Sequence, residues 1–325
     1  MAEKVILDVD TGSDDAVAEM AAILSEDLEV VAICTTWGNL DIELTTENTL
    51  RLVEKMGVDI PVYKGCHTAM VKYLCENRIP PKYRPIIVDG QEMQIHEPEL
   101  KLPPAQIKVR DQHAVLFYID YLTNAAEPVT LIPVGPITNL GHALRIAPGI
   151  VKNIKKIVIM GGGDHAANAG LCGEGNSWHD PEAAQIVLDS GADIIWIPLD
   201  ATHSACIDIH DCARLRKMNT FSGNFAADLI EHRIKCHNAT QPLKVPNAAA
   251  VHDALAVCAV IDESVLTDCR PVHMKMGFFD YGEGETIIDR RERPEPPNCR
   301  FAYDADRKKF VEMLCGLFEK DKNDG

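Results

Sequence analysis

The chain has no CxxC pair, no dense Lys/Arg run, no internal repeat and no Gly/Ser-rich or low-complexity linker. Nor does any apolar run approach the roughly 20 residues that a membrane-spanning helix needs. Each absence excludes something. Without a basic run, and with a net charge of −17, a polyanion is a poor partner, so neither nucleic acid nor an anionic membrane surface is expected. Eleven cysteines are present, an odd number, several in apolar contexts such as "VAICTTW" and "ALAVCAVI". They read as reduced, mostly buried thiols, and the expected compartment is the cytoplasm. The apolar stretch "KVIL" begins at residue 4, which leaves no targeting segment to expect ahead of it. Lacking linkers, the 325 residues are expected to form a single domain.

What is present is alternation. Short runs rich in Val and Ile predict strands at 4–9, 28–35, 59–63, 129–134, 156–160 and 193–199, with a weaker one at 271–277. Helical patterning falls between them, at 14–26, 43–56, 112–124, 137–146, 181–190, 209–217, 221–236 and 250–260. "RFAYD" and a helix over 306–320 close the chain, and the Pro-rich stretches 76–110 and 285–299 read as loops. The predicted fold class is α/β, an open, mostly parallel sheet with helices on both faces. Ligands then bind outside the carboxyl ends of the strands. Those ends read "DVDTGSDD", "TTWGN", "PVGPITN" and "MGGGDHAAN".

The first of these ends holds Asp8, Asp10, Asp14 and Asp15. Helix capping accounts for one or two carboxylates after Gly12, but not for Asp8 and Asp10 at the end of an apolar strand. Carboxylates this close raise one another's pKa or require a cation. An oxygen-only ligand set favours Ca²⁺ or Mg²⁺ over zinc. An EF-hand reading fails on Ser13, which stands where the loop glycine belongs, and on the strand that precedes. A haloacid-dehalogenase-type phosphatase remains open: its D-x-D start matches Asp8 and Asp10, and "GGDHAAN" loosely imitates its later acidic motif. In that reading Asp8 attacks a phosphomonoester with Mg²⁺ bound.

"DVDTGSDDA" resembles the N-terminal signature of the nucleoside hydrolases, the inosine–uridine nucleoside N-ribohydrolases. "TTWGN", "LIPVGPITNL", "VIMGGGDHAANAGLCGEGNSWHDPEAA" and "AAAVHDALAV" resemble that family's later motifs, in order along residues 4 to 320. The resemblance implies hydrolysis of a ribonucleoside to ribose and free base, with one Ca²⁺ per subunit in a homodimer or homotetramer. It implies Asp10, Asp15 and Asp253 as carboxylate ligands, with the backbone carbonyl of Val134. Asp14 becomes the general base, and Asn39 orients Asp14 and the ribose. Asn168, Glu174 and Asn176 hold the ribose hydroxyls, with Met160 beneath the sugar and Asp253 reaching it beside the metal. Asp8 stands behind the ligands. The residue types suit an oxocarbenium-like transition state, which carboxylates stabilise. A binding protein with the pocket but no turnover is a further alternative.

On the base side, His252 is the candidate acid. The segments 76–110 and 221–247 are expected to form the wall and lid, but "IKCHNATQPLKVPN" has none of the tyrosines the inosine–uridine group carries there. Asp89 falls about where a second base-side histidine is expected. His96, His237 and Lys244 are possible substitutes, each expected to be solvated. Trp37 is expected to fill core space, and Trp178 or His179 to touch the loop wall.

Overall fold

The computed structural model describes residues 2–75, 78 and 85–323. β1 (Glu3–Val9), α1 (Ser13–Leu24), β2 (Leu28–Thr35), α2 (Ile42–Met56) and β3 (Val62–Lys64) open the chain. They belong to an eight-stranded sheet. From one edge its order is Leu266–Val272, Cys299–Ala305, Ile194–Ile197, Ile154–Met160, Val129–Pro133, β1, β2, β3. Every neighbouring pair is parallel except Leu266–Val272 with Cys299–Ala305. The expected α/β architecture is therefore what forms.

β1 shows why. Val5, Leu7 and Val9 enter one hydrophobic core and Ile6 enters another, on the opposite face. Alternate side chains of a strand point to opposite faces, so a near-continuous apolar run signals burial on both. α1 packs against the helices His252–Ile261 and Phe221–Thr240. That packing brings residues from the beginning and the later third of the chain to one sheet edge.

Prolines set several strand ends. Pro61 delays β3 to Val62, against the expected 59–63, and Pro198 stops the strand expected to run to 199 at Ile197. The stretch 271–277 is not one strand. Leu266–Val272 pairs at the sheet edge, the pairing is interrupted at His273, and Met274–Met276 pairs with Thr286–Ile288 in a separate two-stranded ribbon. The latter strand lies inside the stretch expected to be loop. The helix expected at 221–236 runs to Thr240, started by a Thr220 side chain that accepts from Gly223 N. Short helices at Gly175–His179 and Leu199–Ser204 have no counterpart among the expected elements. The loop expected over 76–110 holds a hairpin, Ile86–Val88 with Gln91–Met93, turned by Asp89 and Gly90 at positive φ. Residues 76, 77 and 79–84 of that loop lie outside the described residues.

Candidate active site

Gly12 starts the turn from β1 into α1, and its N–H donates to Asp15 Oδ2 at 3.0 Å. Asp10 N donates to Asp15 Oδ1 at 3.1 Å. The turn thus folds around the Asp15 carboxylate. Asn39 N–H donates to Asp10 Oδ2 at 2.6 Å, and its side-chain amide donates to Asp15 Oδ2 at 3.1 Å. Asn39 therefore orients Asp10 and Asp15; no hydrogen bond joins it to Asp14 among the described residues. Two later motifs close on the same carboxylate. A Cβ at Gly38 would stand 2.1 Å from Asp10 Oδ2, and one at Gly135 would stand 2.6 Å from Asp10 Oδ1. Glycine in "TTWGN" and "PVGPITN" is what lets three strand ends converge on Asp10.

Asp14, Asp15 and Asp253 are all buried, and one carboxylate oxygen from each lies within 4.8 Å of the others. Asp10 adjoins this triad, and its Oδ1 is a buried acceptor with no hydrogen-bond partner. Burial, then the charge of Asp15, holds Asp10 well above the usual carboxylate range. Burial, then Asp14, pushes Asp15 up to about 6. Asp253 is raised by burial, then by Asp14, Asp15 and Asp10. An orphaned carboxylate oxygen beside three mutually repelling carboxylates fits a hard divalent cation held by oxygen. The Val134 carbonyl faces the same space and accepts from Asn176 Nδ2 at 2.6 Å.

A cavity of about 790 Å³ opens over this floor. One wall carries Met160, Asn168, Glu174 and Asn176. Glu174 caps the helix Gly175–His179: Oε1 accepts from Asn176 N at 3.0 Å, and Oε2 from Ser177 N at 3.1 Å and Gly162 N at 2.7 Å. Its carboxylate thus ties the "MGGG" turn to the helix. Asn168 Oδ1 accepts from Gly175 N at 2.9 Å. Trp178 and His179 line the cavity too. Lys72 lies 2.9 Å from the centroid of the Trp178 ring and donates to its carbonyl, so Trp178 meets both the loop and the cavity. Trp37 is buried outside the cavity, edge-on to Tyr73 and His179, with Nε1 donating to Thr138 Oγ1 at 3.3 Å.

The opposite wall comes from the helix Phe221–Thr240, with Arg233, His237, Thr240 and Gln241, and from Ile86, Ile95, His96 and His252. His252 Nδ1 lies 2.7 Å from Thr202 Oγ1, and burial, then Arg233, holds the ring well below the usual histidine range. Two expectations fail here. His96 and His237 are not solvated. His96 accepts from Ser13 N at 3.2 Å and stands 3.8 Å from Asp14, and His237 is 2% exposed. Burial drives both down to about 4. Lys244 is exposed, as expected, and Asp89 sits in the hairpin turn away from the cavity.

Sequence reading missed Arg233. It is 1% exposed, and Nη1 donates to Asp14 Oδ1 at 2.8 Å and to Ser13 Oγ at 2.9 Å. The only available signal was a charged residue inside the otherwise unremarked "EHRIKC". Asp8 is displaced from the reaction. It does not line the cavity, and its oxygens are taken by Tyr118 OH at 3.1 Å and Asn139 Nδ2 at 2.9 Å. Burial pushes it up to about 7. A carboxylate turned into the core cannot attack a phosphomonoester, which removes the phosphatase reading.

A carboxylate floor fit for a hard cation lies at the strand ends, where open α/β sheets bind their ligands, with an amide-rich wall beside it. The family model "Inosine-uridine preferring nucleoside hydrolase" matches residues 5–312, and the chain belongs to that family of enzymes, which cleave N-glycosidic bonds. It is 32% identical to the inosine-uridine preferring nucleoside hydrolase of Crithidia fasciculata, over 98% of each chain. It is 31% identical to the pyrimidine-specific ribonucleoside hydrolase RihA of Photobacterium profundum, over 97% of this chain and 98% of that one. Among solved structures, the purine-preferring ribonucleoside hydrolase from Gardnerella vaginalis superposes with a TM-score of 0.84 at 30% identity, over 98% of each chain.

Proposed function

We propose that the protein hydrolyses the N-glycosidic bond of ribonucleosides to ribose and free base, with one Ca²⁺ bound by Asp10, Asp15, Asp253 and the Val134 carbonyl. The orphaned, buried Asp10 Oδ1 beside the Asp14–Asp15–Asp253 cluster carries this reading. When bound, Ca²⁺ offsets the carboxylate repulsion and makes water a better nucleophile. Asn168, Glu174 and Asn176 hold the ribose over Met160, and their fixed dipoles orient it for attack. Negative charge under the ring stabilises the ribosyl cation that develops as the base departs.

A carboxylate beside the metal takes the proton of the attacking water. The family resemblance implies Asp14 for this role. Arg233 Nη1 donates to Asp14 Oδ1 at 2.8 Å and holds that carboxylate in place. Asp14→Asn is expected to keep Ca²⁺ and to lose about 10²-fold or more in kcat; full activity would overturn this assignment.

The names of the relatives span inosine–uridine, pyrimidine and purine preference, so base choice belongs to the wall built by Phe221–Thr240. Strands Glu3–Val9 and Cys299–Ala305 share one sheet, which supports one hydrolase domain, and the family resemblance implies a homodimer or homotetramer. Among the described residues no helix is long and apolar enough to cross a membrane. The eleven unpaired thiols suit the cytoplasm. A panel of inosine, guanosine, adenosine, uridine and cytidine, scored for free base and reducing sugar, tests the function. Folded, calcium-loaded protein that turns over none of them overturns it.

A further inference from the structure

The turn that folds around Asp15 has a second side. One side carries the Asp10 and Gly12 N–H groups on the Asp15 carboxylate. The other meets the stretch 95–100 at three successive residues. Ser13 N donates to His96 Nδ1 at 3.2 Å, and Ser13 Oγ donates to Ile95 O at 3.4 Å. A Cβ at Gly12 would stand 2.1 Å from His96 Nδ1, so the ring packs directly on the turn. Thr11 reaches the same stretch through Asn48, on α2.

Asn48 is fully buried and does not line the cavity. Its Nδ2 donates to Thr11 O at 3.1 Å and to Pro98 O at 3.3 Å, and its Oδ1 accepts from Leu100 N at 2.9 Å. Two carbonyls at one end of the amide and an N–H at the other fix its orientation. Thr49, the next residue, holds the Thr11 hydroxyl at 2.6 Å. One side chain thus joins the residue after Asp10 to two points of a stretch whose Ile95 and His96 face the base side of the cavity. Without a cation the carboxylates of Asp10, Asp14, Asp15 and Asp253 repel one another, and a cation between them reverses that force. Whatever moves Thr11 O moves an acceptor of Asn48, and with it Pro98 and Leu100.

We propose that Asn48 is a positioning residue that couples the cation to the base-side wall: with Ca²⁺ bound the turn 10–13 is fixed, and Asn48 carries that order to Ile95 and His96. Cation and base then bind cooperatively, and linkage makes the effect reciprocal, each tightening the other by the same factor. The proposal rests on the Ca²⁺-dependent ribonucleoside hydrolase reading.

Hydrogen exchange read by mass spectrometry, with and without Ca²⁺, tests the coupling apart from turnover. In the wild type Ca²⁺ is expected to slow exchange about 10-fold at the amides of 94–100 as well as at 10–15. In Asn48→Ala the turn is expected to keep that protection and the stretch to lose it. KM for the best nucleoside is expected to rise about 10-fold in Asn48→Ala with kcat within about 3-fold, as when an interaction shared by ground and transition states is lost. A stretch whose exchange in the wild type ignores Ca²⁺ overturns the proposal. So does an Asn48→Ala protein whose stretch is protected as in the wild type. A fall of more than about 100-fold in Ca²⁺ affinity together with kcat shows that Asn48 only supports the carboxylate floor, and overturns it as well. Should Asn48→Ala not fold, Asn48→Ser takes its place, and the wild-type exchange can still refute the coupling. Absence of nucleoside turnover by calcium-loaded wild type overturns the hydrolase reading and leaves the exchange result standing, so the two failures are distinguishable.

Discussion

The two walls of the cavity are built on different principles. The metal-and-ribose side is made where strands end, and its contacts run largely through backbone: Gly12 N and Asp10 N on Asp15, Asn39 N on Asp10, and Gly162, Asn176 and Ser177 N–H groups on Glu174. The base side is made of side chains on one face of Phe221–Thr240 and from the stretch around His96. Backbone contacts tolerate no added atom, as Gly38 and Gly135 show. Side-chain contacts can be exchanged residue by residue. On the proposed function, the first side would set the reaction and the second the substrate.

Four measurements press on that contrast. The largest effect belongs to the floor: Asp253→Ala should weaken Ca²⁺ binding and cost about 10³-fold in kcat/KM on every nucleoside alike, as calorimetry and initial rates would show. A loss confined to one base would break the division. Next, Gly38→Ala should push a methyl group into Asp10 and weaken Ca²⁺ binding by about 10- to 100-fold, with no change in the ranking of bases.

The third measurement follows the raised carboxylates. In the folded, metal-free protein Asp15 titrates near 6 and Asp8 near 7, against about 3.9 for an unfolded aspartate. The fold binds these protons more tightly than the unfolded chain does. Their contribution to stability is therefore complete below pH about 4 and is lost as pH rises through about 6 and about 7. Melting temperature without metal should fall across that window, and the rise on adding Ca²⁺ should grow with pH. A metal-induced shift that stays constant with pH would contradict the cluster's role. The smallest effect is expected at Trp37→Phe. It removes one hydrogen bond to Thr138 outside the cavity, so it should cost about 1 kcal/mol of stability and leave kinetics unchanged.

Legibility in the sequence follows the same division. The strand-end motifs could be read because short spacing dictates them: Asp10, Gly12, Asp14 and Asp15 lie within a single turn, and the Val/Ile runs announce the strands. Arg233 could not be read, since its bond to Asp14 spans 219 residues and nothing local marks it. His96 and His237 have polar neighbours in sequence, which predicts solvent; only the closing of α1 against Phe221–Thr240 buries them. The strand expected over 271–277 failed for a related reason. Its apolar content is real, but a break in pairing at His273 divides it between two sheets, and pairing partners are not written in a single segment.

Arg233, His237, Thr240 and Gln241 recur along Phe221–Thr240 and its cap at three- and four-residue intervals, the spacing at which successive helical turns present neighbours on one side. The helix works as a row of interchangeable sockets beside a fixed engine. On the proposed function, exchange at His237, Thr240 and Gln241 would alter base preference while the sheet, the turn around Asp15 and the glycines that admit Asp10 stay as they are. A family that spans purine, pyrimidine and mixed preferences on one scaffold is what such an arrangement allows to evolve.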